Sequence, residues 1–379
     1  MDRVQSAVTA IVDLDAIAAN VRALRRITAP KARLMAAVKA NGYGHGAVEV
    51  SRAALASGAD ALGVARIEEG IELRRAGIGA PILIFGPTAG HWAPKLAAYG
   101  LTASVSGFEA ARDLAGHVPA GKQIRVHVKV DTGMGRLGMV VREDSPAAAV
   151  AEVGRIRELE ALILEGVFTH FASADSGDKE FANLQFRRFD GFLKALEEAG
   201  IRVNLRHAAN SGAIIDMPAT HLDMVRAGIA VYGLYPSDEV DKRRIELRPA
   251  LSLKSAVVHL KKVPAGFAVS YGSTWRSSRP TTIATVAAGY ADGYSRALSN
   301  RGRMLVRGRV APIVGRVCMD LTMLDVGHIP ETAVGDEVVL IGTQGGKEIT
   351  ADQVAAWLGT INYEVVSALT SRVLRVHLP

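Results

Sequence analysis

The segment Ala37-Val38-Lys39-Ala40-Asn41-Gly42-Tyr43-Gly44-His45-Gly46 places a lysine after an apolar, strand-like run and directly before a glycine-rich loop. A desolvated amine at the mouth of a scaffold can form a Schiff base with a carbonyl compound. Tyr43 and the loop around it could hold the polar end of whatever the lysine binds. A surface lysine that merely ends a strand gives the same local pattern, so the rest of the chain has to decide. Five more polar side chains follow apolar, β-rich runs: Arg136, His170, His207, Ser211 and Arg226. Each alone has a bland explanation, a histidine satisfied by backbone or an arginine in a structural ion pair.

The elements that would carry these residues are eight short runs: Leu34–Ala40, Ala61–Ala65, Pro81–Gly86, Leu101–Val105, Ile124–Val130, Leu164–His170, Asn204–Ala208 and Met224–Ile229. Between them lie amphipathic segments such as Phe108–Leu114 and Phe181–Ala199, with apolar residues at helical spacing. Alternating strands and helices argue for parallel βα units, and eight units argue for a closed (β/α)8 barrel of the TIM type. A doubly wound open sheet is the alternative, but no GxGxxG follows the first strand. In such a barrel the chemistry sits at the C-terminal strand ends, which brings the six polar residues to one rim. The loops after the last two strands, Asn210-Ser211-Gly212 and Ala227-Gly228-Ile229, offer a hydroxyl and backbone N–H groups of the kind that cradle a phosphate. An imine-forming lysine together with a phosphate cradle points to pyridoxal 5'-phosphate.

The texture changes near Arg248-Pro249, where Gly and Pro turns begin to separate the runs Ser252–Val263, Thr282–Ala288, Arg303–Val306 and Glu337–Ile341. That pattern predicts a mainly antiparallel β domain over 249–379 after a barrel domain over 1–248. Thr350-Ala351-Asp352-Gln353 forms a capping box for one late helix. The early run Thr9–Leu14 precedes the barrel, and residues 1–14 are expected to pair with the C-terminal domain.

Composition narrows the class. With 379 residues, 49% of them hydrophobic, the chain can build a sizeable core. Lone Cys318 excludes an internal disulfide framework and fits a reducing compartment. Met1-Asp2-Arg3-Val4 lacks a signal-peptide pattern and no run is long enough for a membrane span, so a soluble, cytoplasmic protein is expected. The net charge of +7 does not imply nucleic acid. Basic residues are interleaved with acids, as in Arg66-Ile67-Glu68-Glu69, and aromatics are only 5%.

At this point the chain closely resembles the alanine racemases, nearly end to end. The resemblance rests on Ala37–Gly46, Lys129–Gly138 (KVDTGMGRLG), Thr169-His170-Phe171, Asn210-Ser211, Arg226–Ser237 (RAGIAVYGLYPS), Val269–Trp275 (VSYGSTW), Gly289–Tyr294 (GYADGY) and Gly315–Asp320 (GRVCMD). It implies a barrel followed by a β domain, and interconversion of L- and D-alanine by two bases on a pyridoxal phosphate Schiff base. Lys39 would carry the cofactor and act on the D face. Tyr271, from the partner subunit of a homodimer with shared sites, would act on the L face. His170 would support that tyrosine. Arg226 would face the pyridine nitrogen, with His207 behind it.

The resemblance also gives Tyr43, Ser211, Gly228, Ile229 and Tyr363 to the phosphate, and Arg136 with the backbone of Met319 to the substrate carboxylate. Tyr290 and Tyr363 would narrow the pocket, and Arg296, Arg316 and Asp320 would line its entrance. Lys129 matches a family position that can be carbamylated, which would turn a repelling cation into an anionic partner for Arg136. No metal is implied. D-alanine for peptidoglycan is the expected product use. An amino-acid decarboxylase of the same fold, a racemase of broader small-residue specificity and a non-catalytic vitamin B6 carrier are the alternatives. Decarboxylases of this fold use a partner cysteine, whereas Cys318 sits inside GRVCMD, a place for a small packed residue.

Overall fold

Eight parallel strands curl into a nearly closed barrel in the computed structural model, which describes residues 7–142 and 146–379. The strands are Arg33–Ala37, Ala61–Val64, Ile82–Pro87, Thr102–Val105, Ile124–Asp131, Leu162–Phe168, Leu205–His207 and Met224–Ala227. Each of the eight predicted runs overlaps one of them, with ends that differ by up to three residues. They ladder in the order last, first, second and so on to the seventh. The seventh and eighth share no ladder, but Asp223 N–H donates to Arg206 O at 3.1 Å and Arg226 N–H to Ala209 O at 2.9 Å, which bridges the seam. Met35, Ala61, Leu83 and Met224, from four neighbouring strands, form one buried apolar cluster against Phe85.

The helices cover the outside with their apolar stripes. Glu180–Glu198 buries Ala182, Gln185, Phe189, Phe192 and Leu196, spaced at three and four residues. Leu14–Ile27 precedes the first barrel strand and carries the fully buried Asn20. The Asn20 amide donates to Val231 O at 3.2 Å and Arg248 O at 2.9 Å, while its oxygen accepts from Arg248 N–H at 2.8 Å. It thereby satisfies the chain leaving the barrel, where no strand neighbour is available. Tyr232, fully buried, closes the circle by donating to Ala37 O at 2.9 Å.

The chain divides into two compact units, one of residues 16–42 and 47–249, the other of the described residues through Asp15, Tyr43–Gly46 and Ala250–Pro379. The second unit is built on the long strand Leu251–Val263. Thr9–Asp13 pairs antiparallel with Leu251–Lys254 and parallel with Leu374–Leu378. Residues 1–6 of the segment expected to join this domain lie outside the described residues. Further along, Leu251–Val263 pairs with Thr281–Val286 and Glu337–Gln344. Val263, Val269, Ile283 and Val314 pack with Trp275 and Met323 as its core cluster. Thr350 caps helix Ala351–Leu358 through the predicted box, its hydroxyl accepting from Gln353 N–H at 3.0 Å and Thr350 N–H donating to Gln353 Oε1 at 3.1 Å.

Tyr43–Gly46 reaches this unit because Gly44 has no side chain. Its φ is +84°, and a Cβ there would lie 2.1 Å from Val366 O. Arg375 donates to Gly44 O at 3.1 Å, and His377 Nε2 lies 2.8 Å from His45 O.

Replacing Asn20 by leucine should remove the partner of one buried and two partly buried backbone groups and lower stability by about 2 kcal/mol. Denaturant unfolding measures this, and a loss below about 0.5 kcal/mol, the range of a neutral surface change, would contradict it.

Candidate active site

Lys39 follows the first barrel strand by two residues, where the backbone turns left-handed. Ala40, Asn41, Gly42 and Tyr43 all have φ between +50° and +60°. Three of the four are not glycine, and L-residues adopt this region only at a cost of about 1–2 kcal/mol each. Glu69 holds the turn in place. Its carboxylate accepts from Ala40 N–H at 2.7 Å, and from Ala65 N–H at 2.6 Å and Arg66 N–H at 3.0 Å at the end of the second strand. Asn41 Oδ1 also accepts from Ala47 N–H at 3.0 Å. Burial first, then the positive charge of Arg136, lowers the Lys39 amine from its ordinary range, opposed by Glu69. A lowered ammonium pKa leaves more of the nucleophilic free amine at neutral pH.

Arg226, on the last strand, is buried beside the two histidines predicted for the rim. Its guanidinium donates to Thr169 O at 2.8 Å and Ala208 O at 2.9 Å. Nη1 lies 3.0 Å from His207 Nδ1, and Nη2 lies 3.1 Å from His170 Nδ1. A guanidinium only donates, so both Nδ1 atoms accept and are bare. Desolvation, then Arg226, holds both histidines well below their ordinary pKa, in agreement with neutral rings. Burial and then Arg136 bring Arg226 down to about 9, so it stays charged at neutral pH.

Arg136 sits on the loop after the fifth strand, and Asp131 shapes that loop. Its carboxylate accepts from Gly133 N–H at 2.8 Å, Gly135 N–H at 3.1 Å and Arg136 N–H at 3.0 Å. Lys129, two residues earlier, is buried, and desolvation followed by Arg136 and Arg226 lowers its amine to about 8. Lys39, Lys129, Arg136 and Arg226 thus share one positive field, which suits anionic groups. Ser211 opens the short helix Ser211–Asp216, capped by Asn210 Oδ1, which accepts from Ala213 N–H at 3.1 Å. Gly228 N–H, read from the sequence as an exposed donor, already donates to Ser211 Oγ at 2.9 Å. Gly228 and Ile229 begin a single 3-10 turn, Ile229–Tyr232.

In the second unit the remaining predicted residues gather by their own contacts. Ser270, at φ +65°, donates to Arg316 O at 2.6 Å and sets the turn Tyr271–Ser273 against GRVCMD. Tyr290 N–H donates to Cys318 O at 3.1 Å, and Ala291 N–H to Met319 O at 3.0 Å. That approach needs Gly289, where a Cβ would lie 2.3 Å from Met319 O. Arg296 begins a 3-10 turn next to Ser299, whose hydroxyl accepts from Val317 N–H at 3.0 Å. Asp320 pairs with Arg372 at 2.7 Å. Tyr271, Tyr290 and Met319 are exposed. Tyr43 and Tyr363 stand with ring centroids 6.2 Å apart, and burial raises the Tyr43 phenol to about 12.

Sequence reasoning did not single out Glu69, His127, Asp131, Glu165 or Gln185. Gln185, buried in an amphipathic helix, donates to His170 O at 3.1 Å and accepts from Ala172 N–H at 2.9 Å. A glutamine on the apolar stripe of Phe181–Ala199 was the available signal.

A lysine on a strained turn at a barrel mouth, amid buried cations, defines a (β/α)8-barrel enzyme with amine chemistry. The models "Alanine racemase, N-terminal domain" and "Alanine racemase, C-terminal domain" match residues 12–236 and 250–377. An alanine racemase of Desulfosudis oleivorans is 56% identical over 371 residues, 97% of this chain and 95% of that protein. The solved alanine racemase of Clostridium difficile 630 superimposes with a TM-score of 0.94 at 40% identity, covering 99% of this chain and 97% of that one. A histidine racemase of Leuconostoc mesenteroides shares the fold at a TM-score of 0.89 and 29% identity, covering 100% and 99%. This chain belongs to the alanine racemase family. Among the described residues, no helix is long and apolar enough to cross a membrane.

Burial works to raise the Asp131 pKa, but its backbone hydrogen bonds prevail and hold it below the ordinary value. Its contribution is therefore present above the unfolded pKa and lost only as pH falls through the lower folded one. Hydrogen exchange should show Gly133, Gly135 and Arg136 amides still protected at about pH 4, the ordinary carboxylate range, and released on further acidification. In Asp131→Ala they should exchange fast at every pH. Equal protection in both proteins would contradict this role.

Proposed function

We propose that the chain interconverts L-alanine and D-alanine, with pyridoxal 5'-phosphate attached to Lys39. The observation that carries this reading is the Lys39 amine, fixed on a left-handed turn and lowered by burial and Arg136. The surrounding donors fit an anionic cofactor and a carboxylate substrate, because Arg136 and Arg226 add two positive groups. When bound, the cofactor supplies an electron sink for the substrate's α-carbon. The chain's residues do the rest.

Racemisation needs a proton taken from one face and returned to the other. Lys39 Nζ serves the D face, and Tyr271 of the partner subunit serves the L face in a homodimer. An ordinary tyrosine, with a pKa near about 10, is a poor base at neutral pH. His170 answers this: its Nδ1 accepts from Arg226, so its proton sits on Nε2, a donor able to stabilise a phenolate. Arg226 gives the ring nitrogen a hydrogen bond but keeps its proton. That tempers the electron sink and favours simple reprotonation over transamination.

Arg136 and the Met319 backbone hold the substrate carboxylate. Ser211, Gly228 and Ile229, with Tyr43 and Tyr363, hold the phosphate. Tyr290 and Tyr363 limit side-chain size, and Arg296, Arg316 and Asp320 line the entrance. Lys129, lowered to about 8, has enough free amine to add carbon dioxide, and the carbamate pairs with Arg136. Cytoplasmic D-alanine supply for peptidoglycan suits such an activity.

Incubation with L-alanine in deuterated water should yield α-deuterated D-alanine, and Lys39→Ala should abolish it. Borohydride reduction should trap the cofactor on Lys39 in peptide maps. An amine product would indicate a decarboxylase, and no turnover with bound cofactor would indicate a carrier. Faster turnover of L-serine or L-histidine than of L-alanine would overturn the substrate assignment.

A further inference from the structure

Behind Arg226 a line of buried polar groups runs into the barrel. His207 Nε2 lies 2.8 Å from His127 Nδ1, and His127 Nε2 lies 3.2 Å from Glu165 Oε2. Arg125 stands 3.4 Å from the same carboxylate. Both histidines are buried, while Glu165 is partly exposed. The two ends of the line have fixed chemistry: a guanidinium only donates, and an ionised carboxylate only accepts. The hydrogen bond from His127, ahead of the positive charges of Arg125 and Arg33, holds Glu165 below the ordinary carboxylate range against its burial. Between a pure donor and a pure acceptor, two neutral imidazoles have one satisfied arrangement. Arg226 donates to His207 Nδ1, His207 Nε2–H donates to His127 Nδ1, and His127 Nε2–H donates to Glu165.

We propose that Glu165 is a positioning residue of the site, which sets the tautomer of His127, and through it that of His207, so that His207 Nδ1 stays bare for Arg226. Without this acceptor, the His127 N–H is free to move to Nδ1 and point at His207. His207 would then carry its proton on Nδ1 and oppose the guanidinium. One strand, Leu162–Phe168, supplies three supports for the line. Glu165 is the acceptor. Gly166 makes room, since a Cβ there would lie 2.8 Å from two atoms of the His127 ring. Phe168 stacks on His207 with centroids 4.8 Å apart and an interplanar angle of 4°. A buried polar line of this kind fixes a geometry when every member is satisfied and is costly when one is not.

The proposal rests on Arg226 facing the cofactor ring, but its first test does not. In the purified holoenzyme labelled with 15N-histidine, His127 and His207 should both show protonated Nε2 and bare Nδ1 at neutral pH, with resonances assigned by His127→Gln. A protonated Nδ1 on either ring overturns the proposal without any Glu165 variant having to fold. Glu165→Gln keeps an acceptor oxygen and should keep both tautomers and kcat within about twofold. Glu165→Leu removes the acceptor, and should disturb the His207 pattern and lower kcat by roughly tenfold, the kinetic equivalent of one lost buried hydrogen bond, with KM little changed. Equal losses in the two variants, or an unchanged His207 in Glu165→Leu, contradict the tautomer role. Correct tautomers in a protein that does not racemise alanine would overturn the proposed reaction and leave this inference standing.

Discussion

The barrel mouth is organised around one buried guanidinium. Burying a charge is costly unless hydrogen bonds replace its water. The groups that accept from Arg226 are neutral, two backbone carbonyls and two imidazole nitrogens. That choice constrains three strand ends at once. The end of Leu162–Phe168 must bring the Thr169 carbonyl and His170, and the end of Leu205–His207 must bring His207 and the Ala208 carbonyl. Arg226 lies on the strand at the seam where the barrel has no ladder, so its side chain and its N–H to Ala209 O also hold the seam together. Structure and chemistry make the same demand here: both histidines must be neutral and must accept at Nδ1.

The second constraint is the lysine turn. Non-glycine residues at positive φ persist only where surrounding bonds over-determine them. Glu69 and Asn41 supply those bonds within the barrel unit, while Gly44 lets the following residues approach Val366 closely. The strain places Lys39 off the strand, where desolvation and Arg136 act on its amine. A lysine at the strand end proper would continue the ladder direction instead.

Much of this was legible in the sequence, for identifiable reasons. Most of the barrel strands appear as apolar runs because strands buried on both faces tend to lack polar alternation. Ile124–Asp131 instead alternates, with buried His127 and Lys129 on it. The late helix was readable from Thr350 and Gln353 because a capping box is a local signal. The left-handed turn was not readable, since Ala40, Asn41 and Tyr43 lack the glycine signature of that conformation. Glu165 hid inside Leu164–His170, read as an apolar strand, and His127 lay two residues before the motif that begins at Lys129. Their pairing joins positions 38 residues apart, which only the barrel register brings together. The bond from Gly228 N–H to the Ser211 hydroxyl was not readable, because it joins two separate loops.

The central claim is that this cationic barrel mouth works with a tyrosine from another copy of the chain. Complementation tests it most directly. Lys39→Ala and Tyr271→Phe should each be nearly inactive alone. In a mixed dimer with shared sites, one site receives both lesions and the other receives neither. Random reassortment makes half the dimers mixed, so about a quarter of all sites should be intact. Co-expression should therefore restore roughly that share of wild-type racemase activity, with heterodimers verified by mass spectrometry. Activity that stays at the level of the single variants, with heterodimers present, would contradict the shared site.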